Sequence, residues 1–175
     1  MIHSKSGPDL RSELEKFRFQ KNGSSVPTDS YKHDLVKKII HSVPPDKFEI
    51  KSDNSLDPED SKIFKNCYTT AMDLANELKM GSIVLPLLLR KGKVEGGKVR
   101  RQMGVYAMLE AVVNWFEKKN MEIDGENCYV QDVCLQKVIF SFEPKHPNAL
   151  DDMKVLAELM EANRLPKKFV SDTLE

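Results

Sequence analysis

The chain has 175 residues, 40% hydrophobic and 31% charged, with 27 basic and 27 acidic side chains. That composition fits one soluble globular domain, or one domain with tails, and its zero formal charge argues against a wholly basic nucleic-acid binder and an acidic disordered chain. The best apolar run, Ile83 to Leu89, is far shorter than the ~18 residues a membrane span needs.

Met1 to Lys5 has no apolar core behind it, so no signal peptide and no membrane partner are expected. Cys67, Cys128 and Cys134 are odd in number and lack metal-ligand spacing. They read as reduced thiols of an intracellular protein, cytoplasmic or nuclear.

In chain order, Pro8 opens a helix to about Gln20, with Leu10, Leu14 and Phe17 on one face, and Asn22–Gly23 breaks it. Ser24 to Thr28 is a weak strand. Lys37 to Val43 reads as a buried strand stopped by Pro44–Pro45, with His41 in a structural, hydrogen-bonded role. Asp57 is placed as N-cap before Pro58, with Glu59 and Asp60 in the first turn of a helix. Its face is Ile63, Cys67, Thr70–Ala71, Leu74 and Leu78, and Gly81 is its expected stop. Ser82 to Leu89 is apolar without alternation, the pattern of a strand covered on both faces.

A second long helix is expected from about Val99 to Asn120, with Met103, Ala107, Leu109 to Ala111 and Trp115–Phe116 inward. Val133 to Phe142 is a strand with Val138, Phe140 and Phe142 on one face. A last helix, Asn148 to Ala162, turns Leu150, Met153, Leu156–Ala157 and Met160 inward. The division is one domain over 1–163 and a C-terminal tail over 164–175. Alternating strands and helices in the second half imply right-handed crossovers and a mixed, largely parallel sheet between helices.

Ligands on such sheets sit outside the carboxyl ends of the strands, and the loop after Leu89 is one such place. Arg90 to Arg101 carries Arg90, Lys91, Lys93, Lys98, Arg100 and Arg101 against Glu95, with Gly92, Gly96 and Gly97 among them. Glycines let backbone N–H groups approach an anion, and the following helix adds its dipole. The same segment also reads as a solvated loop. Gly92, Gly97 and Lys98 fit the spacing of a phosphate-binding P-loop, but Val99 stands where a magnesium-binding hydroxyl is required, which argues against a nucleotide hydrolase. His3, His33, His41 and His146 include no metal-ligand pair. No metal, cofactor or catalytic residue is assigned. Trp115 reads as core; Phe140 and Phe142 read as core, or the one nearer the strand end as a platform for a base.

The ordered segments resemble those of macro domains. Ile2 to Leu10 is similar to that family's "Ile-His-x-x-Ala-Gly-Pro-x-Leu" segment, and Gly23, Thr28 and Tyr31 to its "Gly-x-x-x-x-Thr-x-x-Tyr" stretch. Lys38 to Pro45 resembles "Ile-Ile-His-Ala-Val-Gly-Pro". Ser82 to Pro86, after a helix bearing Cys67–Tyr68, resembles "Ser-Ile-Ala-Phe-Pro". Met108 to Val112 matches the next helix and Val138 to Phe142 the last strand.

The resemblance implies a three-layer α/β/α fold that binds ADP-ribose or an ADP-ribosylated protein, with Phe142, or Phe140 if the register differs, near adenosine. Some members hydrolyse ADP-ribosyl groups. The family's earlier strands have no counterpart here, and its "Ser-Thr-Gly-x-Tyr-Gly" loop is replaced by Leu87 to Gly97. The resemblance therefore implies a domain incomplete at its N-terminus. The expected ligand-binding residues are Gly92, Gly96, Gly97, Lys98 and Phe142. The expected function is non-catalytic, with weak or lost ADP-ribose recognition, a protein partner covering an exposed sheet edge, and no specific nucleic acid. The alternatives are an ADP-ribosyl hydrolase and a ligand-free interaction or structural remnant.

Overall fold

A computed structural model describes residues 6–45, 57–88, 97–123, 133–142 and 149–162. The order is α1 (Pro8–Glu15), β1 (Ser25–Asp29), β2 (Lys38–Ser42), α2 (Pro58–Glu77), β3 (Ser82–Pro86), α3 (Gly97–Ile123), β4 (Lys137–Ser141) and α4 (Ala149–Ala162). The succession of helices and strands is the one the sequence predicts. Among these residues, no helix is long and apolar enough to cross a membrane.

The strand pairing is mixed. β1 and β2 are antiparallel, with Thr28 opposite Ile39 and Ser25 opposite Ser42, and β3 and β4 are parallel, with Val84 opposite Ile139. Among the described residues the two pairs form separate two-stranded sheets. The β1–β2 pair lies between helices. α2 meets the face carrying Ser25 and Ser42, whose hydroxyls are 2.8 Å apart and bond onward to Thr70 and the Cys67 carbonyl. α1 packs on β1, and strand alternation assigns it the opposite face, where Thr28 and Ile39 are buried. His41 Nε2 lies 2.9 Å from Thr28 Oγ1 on that face, the structural role expected of it.

Asp57 caps α2 as predicted, its side chain accepting from the Glu59 and Asp60 N–H groups at 2.9 and 3.4 Å. The buried face is rotated from the expected one: Phe64, Cys67, Tyr68, Ala71, Met72 and Ala75 point inward, while Ile63, Thr70 and Leu74 lie half-buried. The helix also stops before Gly81. Lys79 takes the left-handed conformation at φ 54°. The Lys79 N–H bonds the Asn76 carbonyl and the Met80 N–H the Ala75 carbonyl, both at 2.9 Å. This is a Schellman motif with lysine where glycine is usual.

One core joins α2, α3 and the inward side chains of β3, built on Phe64, Tyr68, Met72, Leu85, Met108, Val112 and Trp115. Trp115 is core, as predicted, and its Nε1–H donates to Asp73 at 2.7 Å. A smaller cluster of Val105, Leu109 and Leu156 packs α4 onto α3. On α4 the expected stripe is corrected, because Leu150 and Met153 are exposed while Ala149, Asp152 and Leu156 are buried.

The expectation that the third strand is covered on both faces is also corrected. The strand ends at Pro86, and Val84 is 52% exposed with Ile139 beside it 40% exposed. No described helix covers that face.

Candidate functional site at the carboxyl ends of β3 and β4

The turn from Leu78 to Gly81 sends the chain back along α2, so β3 runs antiparallel to that helix. α2 has 20 residues, about 30 Å at 1.5 Å per residue. β3 has five, roughly 17 Å at ~3.3 Å per residue. The level of Tyr68, midway along α2, therefore marks the carboxyl end of β3. Its hydroxyl donates to the Pro86 carbonyl at 3.1 Å and accepts from the Leu88 N–H at 3.0 Å. Burial raises the Tyr68 phenol far above its ordinary value, so it stays a neutral clamp on the chain leaving β3. The first half of α2 projects beyond the strand ends, and α3 begins there too.

These two projecting segments enclose an open groove of about 540 Å³, lined by Ser61, Lys62, Lys65 and Asn66 from α2 and by Met103, Tyr106 and Glu110 from α3. Lys65 and Glu110 span it at 2.8 Å. Tyr106 is half exposed. The groove combines two cations with a phenol ring, and it lies where open α/β sheets take ligands. Among the described residues no group of His, Cys, Asp or Glu is placed to hold a metal ion.

Of the residues expected at the site, Gly92 and Gly96 lie outside the described residues. Gly97 is the first residue of α3 and Lys98 the second, at the helix start where an anion would be favoured. Phe142 follows β4, half-buried, and packs against the cluster of Val105, Leu109 and Leu156. Val105 is eight residues into α3, about 12 Å from its first turn.

The groove-lining Lys62, Lys65 and Tyr106 were missed by sequence reasoning, because they lie outside the apolar stripes by which the two helices are recognised. Asn76 was missed as well. Its Oδ1 accepts from the Cys134 and Leu135 N–H groups at 2.8 and 3.3 Å, tying the chain entering β4 to α2.

The Macro domain family model matches residues 1–90. The chain belongs to the macro domain family. No curated protein sequence matches it. Solved macrodomains share its fold. The macro domain of ganglioside induced differentiation associated protein 2 superposes with a TM-score of 0.63 at 21% identity, covering 91% of this chain and 65% of that one. An Oceanobacillus iheyensis macrodomain mutant with ADPR gives 0.62 at 17% identity, covering 93% and 75%. A Trypanosoma brucei macrodomain in complex with ADP-ribose gives 0.60 at 17% identity, covering 91% and 54%. This macro-type chain thus spans about half to three quarters of the length of these structures.

Proposed function

We propose that this chain is a divergent, non-catalytic macro-type recognition module with weakened ADP-ribose binding, acting mainly through protein contacts. The observation that carries the reading is the groove between the projecting starts of α2 and α3, which sets Lys62 and Lys65 beside Tyr106 outside the strand ends. Two lysines suit a diphosphate as point charges, and a half-exposed phenol offers a face to a base. The ADP-ribose complexes of the trypanosomal and bacterial macrodomains support the ligand class. Gly97 and Lys98 open α3, whose first N–H groups favour an anion.

Weak affinity follows from the exposure of these groups. Lys65 already shares its charge with Glu110, and solvated charges are screened by salt. Two or three charged hydrogen bonds of about 1.5–3 kcal/mol each give micromolar to millimolar binding once ordering is subtracted. The protein-contact part of the reading rests on the open face of the β3–β4 pair, where Val84 and Ile139 meet solvent.

Calorimetric titration with ADP-ribose, with amide NMR shifts recorded alongside, tests the proposal. Binding in the micromolar to millimolar range is expected, with shifts at Lys62, Lys65, Tyr106 and the first turn of α3, and weaker binding at higher salt. Lys62→Glu combined with Lys65→Glu lowers affinity at least tenfold. Nanomolar binding, or release of ADP-ribose from a modified protein, overturns the reading. So do shifts that map elsewhere.

A further inference from the structure

The groove between α2 and α3 has an inner and an outer end. Lys65 meets Glu110, and further along both helices Asp73 accepts from the Trp115 Nε1–H. The two contacts fall in the same order, so α2 and α3 run parallel. Pro58, Ser61 and Lys62 on α2, and Met103 and Tyr106 on α3, all precede the Lys65–Glu110 contact. Beyond it the helices close on each other through Tyr68, Met72, Ala111 and Val112 of the core. The ion pair is therefore the floor of the groove, roughly 10 Å from Pro58 and Met103 at ~1.5 Å per residue.

The charges are graded by depth. Lys62 stands about one helical turn nearer the mouth than Lys65, on the same side of α2. Lys65 Nζ and Glu110 Oε1 are 2.8 Å apart at the floor, and their side chains are only 30% and 34% exposed. At that burial the Glu110 carboxylate is screened less than a surface charge. Among the described residues lining the groove, Lys62 and Lys65 are opposed by Glu110 alone, which leaves one net positive charge. An anion that reaches Lys65 meets the carboxylate beside it.

We propose that Glu110 is the specificity-determining residue of this groove: it reserves the floor for a neutral hydrogen-bond donor and turns away highly charged phosphates, so a diphosphate esterified at both ends is taken in preference to a free one. The inference rests on the recognition reading above and deepens it by naming the charge class of the ligand. A phosphate esterified on both sides carries a single charge, whereas a terminal one carries about −1.5 to −2 at neutral pH. Lys62, nearer the mouth, is the cation open to the singly charged group. An ionised carboxylate accepts hydrogen bonds at both oxygens. With Oε1 on Lys65, Oε2 serves a hydroxyl or amino group of the ligand. Repulsion from Glu110 grows with each further charge on the ligand. An ion pair that only joined the two helices would affect unfolding and leave the order of ligands alone.

The test titrates the full chain with inorganic pyrophosphate and with ADP-ribose at low ionic strength, by calorimetry with amide NMR shifts. The native chain is expected to bind ADP-ribose more tightly than pyrophosphate. Glu110→Gln, which keeps the size and removes the charge, tightens pyrophosphate at least tenfold and ADP-ribose threefold or less, with new shifts at Lys65. Glu110→Ala shifts the two ligands in the same way. Adding Lys65→Met to Glu110→Gln abolishes the gain. The proposal is overturned if Glu110→Gln leaves pyrophosphate binding unchanged, or tightens both ligands equally. It is also overturned if the gain survives the loss of Lys65. The two readings fail separately. Pyrophosphate tightened by Glu110→Gln, in a chain that never binds ADP-ribose, sinks only the recognition reading. ADP-ribose bound at Lys62, with pyrophosphate unmoved by Glu110→Gln, sinks only the role of Glu110.

Discussion

The β1–β2 and β3–β4 pairs are the same size, yet they are finished differently. β1–β2 has helices on both faces, with Thr28 2% and Ile39 7% exposed. Among the described residues β3–β4 has helices on one face only, and Val84 and Ile139 stand open on the other. The sequence around β3 is the more apolar of the two, so hydrophobicity does not decide which pair is covered. Coverage is decided by which helices pack on each pair, and α1 serves only the first.

Substitutions in each pair test whether the difference in cover is real in solution. The largest effect is expected from Phe64→Ala. Phe64 is fully buried, stacked edge-on against Tyr68 at 5.2 Å, in the core shared by both pairs. The loss is about 3–5 kcal/mol, read by denaturant unfolding. Exchange protection should fall in both pairs together, and loss confined to β3–β4 would show that the pairs unfold independently. Next comes the contrast of Ile39→Ala, costing about 2–4 kcal/mol, with Val84→Ala, costing about 0.5 kcal/mol or less. Equal costs would mean that the open face is covered in solution. Tyr68→Phe removes both clamps on the chain after β3 and costs about 1–3 kcal/mol. Its signature is faster exchange at Leu88, with the β1–β2 amides unchanged.

Two smaller effects act at the ends of the comparison. Lys79→Gly, in the turn that feeds β3, relieves a left-handed lysine and raises stability by about 1 kcal/mol. Beneath β1–β2, burial pushes the Cys67 thiol from 9.0 up to about 11, and its Sγ–H donates to the Val43 carbonyl at 3.3 Å. A thiol whose folded pKa is raised stabilises the fold below the unfolded value and loses that contribution as pH rises through the folded one. Between about pH 9 and 11 the native chain should therefore lose stability relative to Cys67→Ala. Parallel stability curves for the two proteins would show that the thiol is not held neutral.

Much of the secondary structure is legible because it rests on local chemistry. Asp57–Pro58 writes the start of α2, and the alternation of Val138 and Phe140 writes β4. Other features rest on contacts distant in sequence. The run from Ile83 to Leu89 has the composition of a doubly covered strand, but its cover depends on elements elsewhere. Pro86 also lacks the N–H to continue a ladder, so the strand stops early. The inward face of α2 turns on Phe64 and Tyr68, whose selection over Ile63 and Leu74 is settled by β3 and α3 packing against them.

The site divides similarly. Gly97 and Lys98 are legible as a helix start, and Phe142 as a half-buried aromatic beyond β4. The groove is illegible, since Lys62, Lys65 and Tyr106 come together only when two helices overshoot the same strand ends.

The parallel pairing of β3 with β4 also sets an order of events in time. β1 and β2 are separated by a short connection and can close as a hairpin within ~1–10 μs. At ~5–20 residues per second of synthesis, the roughly fifty residues between the end of β3 and the start of β4 take about 3–10 s to emerge. For that interval β3 lacks β4, and until Ile123 has emerged it lacks a complete α3 as well, so its apolar residues are held at first by α2 and the Tyr68 clamp. The nascent chain is thus most open to chaperones, or to wrong strand partners, after Pro86 has appeared and before Lys137 has followed.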